Sequence, residues 1–168
     1  QEEENMITIG ETKFTKDEID GIKASIKKKK KKKIDLIEIS FEPDARFVAM
    51  SIYNNELQVD KFPISRGTCI VTNKYTALLW THGIVPSVRQ PNWKYFLGGR
   101  SIPAPVKITR HYGESNIDLI STEILSLTKM NWNSLDLYSK LPSTIDSSNK
   151  IARIGKLLSR FEGRTYDY

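Results

Sequence analysis

Asn149, Arg153, Lys156 and Arg160 follow one another at i, i+4, i+7 and i+11. At about 100° per residue, that spacing gathers them into one stripe along a helix. Three cations headed by a small amide suit a phosphodiester backbone. They neutralise phosphates and release counterions, and they position a strand without reading its sequence. The plainer alternative is a solvated helix face. Lys27 to Lys33, an unbroken run of lysines, poses the same choice between a phosphate-attracting patch and a solvated helix end. Arg110-His111-Tyr112-Gly113 and Lys129 with Asn131 and Asn133 are further polar groups at element ends, where binding residues concentrate.

Catalytic constellations are poor. His82 and His111 are not at metal-ligand spacing and read as structural or surface histidines. Cys69 sits in an apolar run and reads as core. No GxSxG, GxxxxGK[ST] or GxGxxG pattern occurs, and the acidic residues form no obvious pair on neighbouring strands. A single cysteine excludes a disulfide scaffold and a cysteine-rich zinc site. Lys and Arg number 26 against 20 Asp and Glu, a net +6 that favours an anionic partner. There is no apolar run of membrane-spanning length, and the N-terminus is acidic rather than signal-like. A cytoplasmic protein without a membrane partner is the expectation.

The elements that must position these groups are legible by pattern. A length of 168 residues suits one domain. Met6 to Ile9 alternates as a short strand. Thr15-Lys16-Asp17-Glu18 fits a capping box, and Ile19, Ile22 and Ile26 share the face of a helix over about 16–28. Asp35 to Ser40 reads as a buried strand. Arg46 to Tyr53 and Glu56 to Phe62 read as a hairpin turning at Asn54-Asn55. Thr68 to Thr72, Thr76 to Thr81 and Pro105 to Arg110 complete the strands. Ser115 to Asp118 is a second capping-box candidate, for a helix with Ile117, Ile120, Ile124 and Leu127 on one face that breaks at Trp132 and Asn133. A last helix, capped by Asp146 or Ser147, runs to about Phe161, with Ile151, Ile154, Leu158 and Phe161 expected to face the core. The class is α/β.

A resemblance sharpens this picture. The blocks IPAPVKITRHYG (Ile102 to Gly113), EILSLTKMNWN (Glu123 to Asn133), KLPSTI (Lys140 to Ile145) and NKIA (Asn149 to Ala152) resemble the C-terminal part of the Piwi domain of prokaryotic, archaeal-type Argonaute proteins. LTKMNWN followed by Leu-Pro is the specific pair. Lys33 to Arg46 is similar to the family's mid-domain strand, and Thr15 to Ile26 to the helix before it. The resemblance covers about residues 7 to 162, most closely from 100 onward.

It implies an RNase H-like fold, a mixed sheet flanked by helices, that holds a guide strand paired to a target, RNA or DNA. Active members cut the target with two divalent metals, Mg2+ or Mn2+, held by an Asp-Glu-Asp set and a fourth residue that is His, Asp or Asn. The fourth position falls here on Asn149. The third, ordinarily Asp in an Arg-Asp-Gly-like turn, falls on Glu11 of Gly10-Glu11-Thr12-Lys13-Phe14, a departure from the pattern. Glu11 and Asn149 are therefore the catalytic and metal candidates. The first Asp and the Glu lie upstream in the family. The expectation is residues 1–14 as a tail and short strand and 15–168 as the C-terminal portion of a Piwi domain. The remaining half or subunit of the Argonaute would complete it and bring the metal. By the same block matching, guide contacts fall on Arg153, Lys150, Asn131, Asn133 and Arg46. The helical stripe reaches Arg153 and Asn149 independently and adds Lys156. The leading expectation is guide-dependent nucleic-acid binding, with target cleavage once the domain is completed. The alternatives are a catalytically inactive scaffold that signals through an effector, and a basic α/β protein that binds no nucleic acid.

Overall fold

Residues 34–41 carry five large apolar side chains among eight, too dense for a strand with one wet face. In the computed structural model, which describes residues 6–10, 14–28, 34–42, 44–45, 47–59, 63–85, 103–130 and 138–159, they form β2 (Ile34–Phe41), buried from Ile34 through Ile39. β1 (Met6–Gly10) pairs with it in parallel, Met6 opposite Ile34 and Gly10 opposite Glu38. The crossover between them is α1 (Lys16–Lys28). Its start is the expected capping box. The Thr15 backbone N–H donates to Glu18 Oε2 at 2.8 Å, and the Glu18 N–H donates to Thr15 Oγ1 at 3.3 Å. The Thr15 N–H and then the Thr15 hydroxyl, which also donates to Glu18 Oε2 at 2.9 Å, hold the Glu18 carboxyl below its ordinary range.

On its other side β2 pairs antiparallel with β7 (Val106–Tyr112), through a register irregularity at Leu36/Ile37. β6 (Thr76–Leu79) and β5 (Cys69–Asn73) continue the sheet in the order β1-β2-β7-β6-β5. α2 (Ile117–Leu127) lays Ile117, Ile120 and Ile124 against Ile37, Ile39, Val106, Ile108, Ala77 and Leu79. α3 (Ser143–Ser159) adds Ile145 to this cluster.

β2 also carries two buried carboxylates, and both are occupied. Asp35 accepts the backbone N–H and the hydroxyl of Ser115, which fixes where α2 begins. Glu38 Oε2 accepts the Phe14 N–H at 3.3 Å and lies 2.9 Å from His111 Nε2, joining the start of α1 to β7. Ser115 is thus not the cap expected from its sequence context. The cap is Asn116, whose side chain accepts from the Asp118 N–H, because the Ser115 hydroxyl is spent on Asp35. α2 ends at Leu127, with Thr128 as its C-cap, before Trp132 and Asn133 are reached.

β3 (Met50–Tyr53) and β4 (Glu56–Val59) form a separate two-stranded ribbon; residues 47–49 are not part of β3 as the sequence pattern suggested, and 60–62 lie outside the described residues. Its turn is the expected one: Asn54 and Asn55 both adopt positive φ, the backbone of a type I′ hairpin. The register sets Met50 opposite Val59 and Ile52 opposite Leu57, so these four share one face. All four are more than half exposed. Among the described residues, no helix is long and apolar enough to cross a membrane.

Gly113 joins β7 to α2 at φ +110, and a Cβ there would overlap the Asp35 side chain and come within 2.9 Å of its Cα. Gly113→Ala is expected to cost about 1–3 kcal/mol, from a strained left-handed residue and displacement of the Asp35–Ser115 bracket. Thermal unfolding checks this. An unchanged midpoint would show that the bracket yields without cost.

Candidate nucleic-acid interface

The stripe of cations depends on which way α3 faces. Its first turn is fixed: Pro142 is buried, the Asp146 N–H donates to the Pro142 carbonyl at 3.0 Å, and Ile145 is 5% exposed within the core. The helix thus starts earlier than a cap at Asp146 or Ser147 would place it. Counting about 100° per residue from Ile145, Lys156 lies about 20° round the helix, Asn149 about 40° and Arg153 about 80°. Ile151 and Ile154 lie about 120° and 180° away. The polar stripe therefore continues the anchored side of the helix, and the apolar arc points away from it.

Ile151 is 70% and Ile154 55% exposed, which corrects the expectation that they face the core. The physical reason is that, among its described side chains, α3 has a single core anchor, Ile145. Beyond it every described side chain from 150 to 157 is exposed, so the helix leaves the sheet before its apolar arc meets a surface. Leu158, Phe161 and Arg160 lie outside the residues whose side chains are described.

Of the expected contact residues, Asn149 is half-buried and Arg153 and Lys156 are exposed on the stripe. Lys150 stands off it and pairs with Asp146 at 2.7 Å, an i, i+4 pair of little energetic weight. Glu11, Arg46, Asn131 and Asn133 lie outside the described residues. Among those described, no group of three or more His, Cys, Asp or Glu side chains could hold a metal ion. Asn149 is a neutral ligand type on a solvated helix. The described residues do not by themselves fit a two-metal centre.

The surface next to the start of α3 contains residues that sequence pattern did not reveal. Thr81, just past β6, donates its hydroxyl to the Lys140 carbonyl at 2.6 Å. Tyr138 donates to the Gly83 carbonyl at 3.1 Å, and the Ser139 N–H donates to the Thr128 carbonyl at 2.8 Å. These bonds lay the connector over the 80–84 loop, with Lys129 and Lys140 exposed nearby. Gly83 can lie against the 64–66 turn because it lacks a Cβ, which at its φ of +145 would overlap the Ile64 carbonyl. Arg66 reaches the same place. Its Nη2 donates to Thr128 Oγ1 at 2.6 Å and to the Leu125 carbonyl at 3.2 Å, and its guanidinium lies 4.7 Å from the Tyr138 ring centroid. The only sequence signal for any of this is Ser65-Arg66-Gly67, an undistinguished turn.

The second polar cluster noted in the sequence, Arg110 and His111, lies at the opposite end of β7 and is already engaged. Arg110 donates to the Ser115 and Lys74 carbonyls, and its guanidinium lies 5.4 Å from the centroid of the Tyr75 ring. His111 pairs with Glu38. Both work as brackets between elements.

His82 is half-buried, and its Nδ1, which is out of reach of water, has no partner among the described residues. Burial first, and then the Lys140 ammonium, hold its pKa below the ordinary 6.5. Folding therefore favours neutral His82. Its stabilisation is present above the unfolded value and is lost as pH falls from about 6.5 towards the lower folded value. The wild-type melting temperature is expected to fall over that window. His82→Gln, which does not titrate, should flatten this part of the profile in thermal melts at successive pH values.

No protein-family model matches the sequence. A stretch of 50 residues, 30% of this chain, is 40% identical to the Argonaute of Aquifex aeolicus and covers 7% of that protein. Among solved structures, Clostridium butyricum Argonaute, bound to a guide DNA and a target DNA, matches 89% of this chain with a TM-score of 0.65 at 21% identity. A. aeolicus Argonaute matches 86% with a TM-score of 0.55 at 24% identity. In each case the match covers 17% of the solved chain. This chain thus spans less than a fifth of the proteins it is similar to.

Proposed function

We propose that this chain, with its RNase H-like Piwi fold, contributes to guide-dependent nucleic-acid binding by holding the phosphodiester backbone of a guide paired to its target. The observation that carries the reading is the phase of α3. Asn149, Arg153 and Lys156 lie on the side of the helix that Ile145 anchors to the core, yet remain accessible. Cations on that stripe, together with the exposed Lys129 and Lys140 before α3, would follow a backbone and leave sequence reading to base pairing. The likeness to an Argonaute that holds guide and target DNA supports the same chemistry.

The partners proposed are guide and target strands, RNA or DNA, and the remainder of an Argonaute, in the same polypeptide or a separate one. Target cleavage with Mg2+ or Mn2+ would need carboxylates from that remainder. No step of the binding function runs through a metal ion. The second reading, a binding scaffold without nuclease activity, is favoured by Glu11, which stands where the family carries Asp.

Arg153→Ala tests the reading. Binding of a labelled guide–target duplex is expected to weaken similarly for unrelated sequences. The slope of log affinity against log salt should fall by about one. Fluorescence anisotropy across a salt series measures both. An unchanged slope would remove α3 from the interface, and binding without salt dependence would remove the backbone reading altogether.

A further inference from the structure

Arg66 presents a physical puzzle. Arg66 is half-buried, and that partial desolvation lowers its pKa, so drawing the charge partly from water carries some cost. Among the described residues it meets carbonyl and hydroxyl oxygens and a ring, but no carboxylate. Its Nε is buried without a partner among them. An apolar side chain would fill the space without that cost. What a guanidinium supplies instead is a rigid planar fork that can hold several elements at fixed angles.

The elements it holds are those that carry the candidate interface. α2 has no basic residue in its own last turn, and Arg66 supplies a cation there from another part of the chain, where the helix dipole favours one. The same group bonds the C-cap hydroxyl of Thr128, one residue before Lys129. It also stacks on Tyr138, two residues before Lys140 and five before the first residue of α3. Its own backbone is fixed in turn. The Arg66 N–H donates to the Ile84 carbonyl at 2.9 Å, the Gly67 N–H donates to the Trp80 carbonyl at 2.8 Å, and Gly67 sits at φ +91. One side chain on a braced turn therefore ties the end of α2 to the connector that launches α3.

We infer that Arg66 is a positioning residue for nucleic-acid binding: it sets Lys129 and Lys140 relative to each other so that backbone phosphates meet a preformed set of cations. The inference rests on the binding function proposed above. Preorganisation of this kind raises affinity because the cations need not be ordered when the strand arrives.

The test is a double-mutant cycle on the full-length protein. Affinity is read by fluorescence anisotropy of labelled guide–target duplexes, DNA and RNA, at a temperature where circular dichroism shows every variant folded. Lys140→Ala alone is expected to weaken binding about three- to tenfold. In an Arg66→Lys background, which keeps a charge but lacks the planar fork, the same substitution is expected to cost less than about twofold. An equal loss in both backgrounds would overturn the positioning role, because a residue that only stabilises the fold leaves the Lys140 increment intact once the protein is folded. If Arg66→Lys does not fold, Thr128→Val replaces it in the cycle, removing the hydroxyl that Arg66 engages. A wild type that binds neither duplex overturns the binding function and this role with it. A wild type that binds but gives an additive cycle overturns the role of Arg66 alone.

Discussion

Strand β2 is buried on both faces, and most of the molecule is arranged around what such a strand requires. Its apolar residues need cover on each side. Its two carboxylates, Asp35 and Glu38, need donors that water can no longer supply. Asp35 obtains them from Ser115 and so fixes the start of α2. Glu38 obtains them from Phe14 and His111 and so ties the start of α1 to β7. Gly113 is required because the chain passes too close to Asp35 for any side chain.

The consequences run along the chain towards the candidate interface. With its start set by Asp35, α2 delivers its C-terminus to Arg66. The connector that follows is laid over the 80–84 loop by Thr81, Gly83 and Tyr138. Among its described side chains, α3 then has one apolar residue, Ile145, in the core. That single anchor fixes the rotation of the helix and hence the side on which its cations stand. A nucleic-acid surface built this way consists of exposed charges on buried brackets. The exposed charges interact at long range and are screened by salt, while the brackets keep them in place.

Two apolar surfaces remain open, the ribbon face of Met50, Ile52, Leu57 and Val59 and the outer arc of α3. An isolated two-stranded ribbon is marginal in water, and so is a helix with one anchored turn. Both are features of a chain that matches less than a fifth of the length of the Argonautes it resembles.

The amino-acid sequence by itself determined what depends on local periodicity and on short-range hydrogen bonds. The capping box at Thr15 and Glu18, the Asn54-Asn55 turn, the buried strand at 35–40 and the apolar face of α2 all follow from neighbours a few residues apart. The block resemblance added the fold class, because LTKMNWN and Leu-Pro stand in a fixed order. Only the tertiary structure decided the rest. Whether Ser115 or Asn116 caps α2 turned on a carboxylate 80 positions earlier in the chain. Whether Ile151 and Ile154 are core turned on where α3 leaves the sheet, since amphipathicity specifies that two faces differ but not which one finds a partner. Arg66 left no periodic trace, because its partners lie 59 and 62 residues away. Contacts at that range are set by the folded surface, and the physical reason they escape the sequence is that no spacing rule connects residues brought together by different elements.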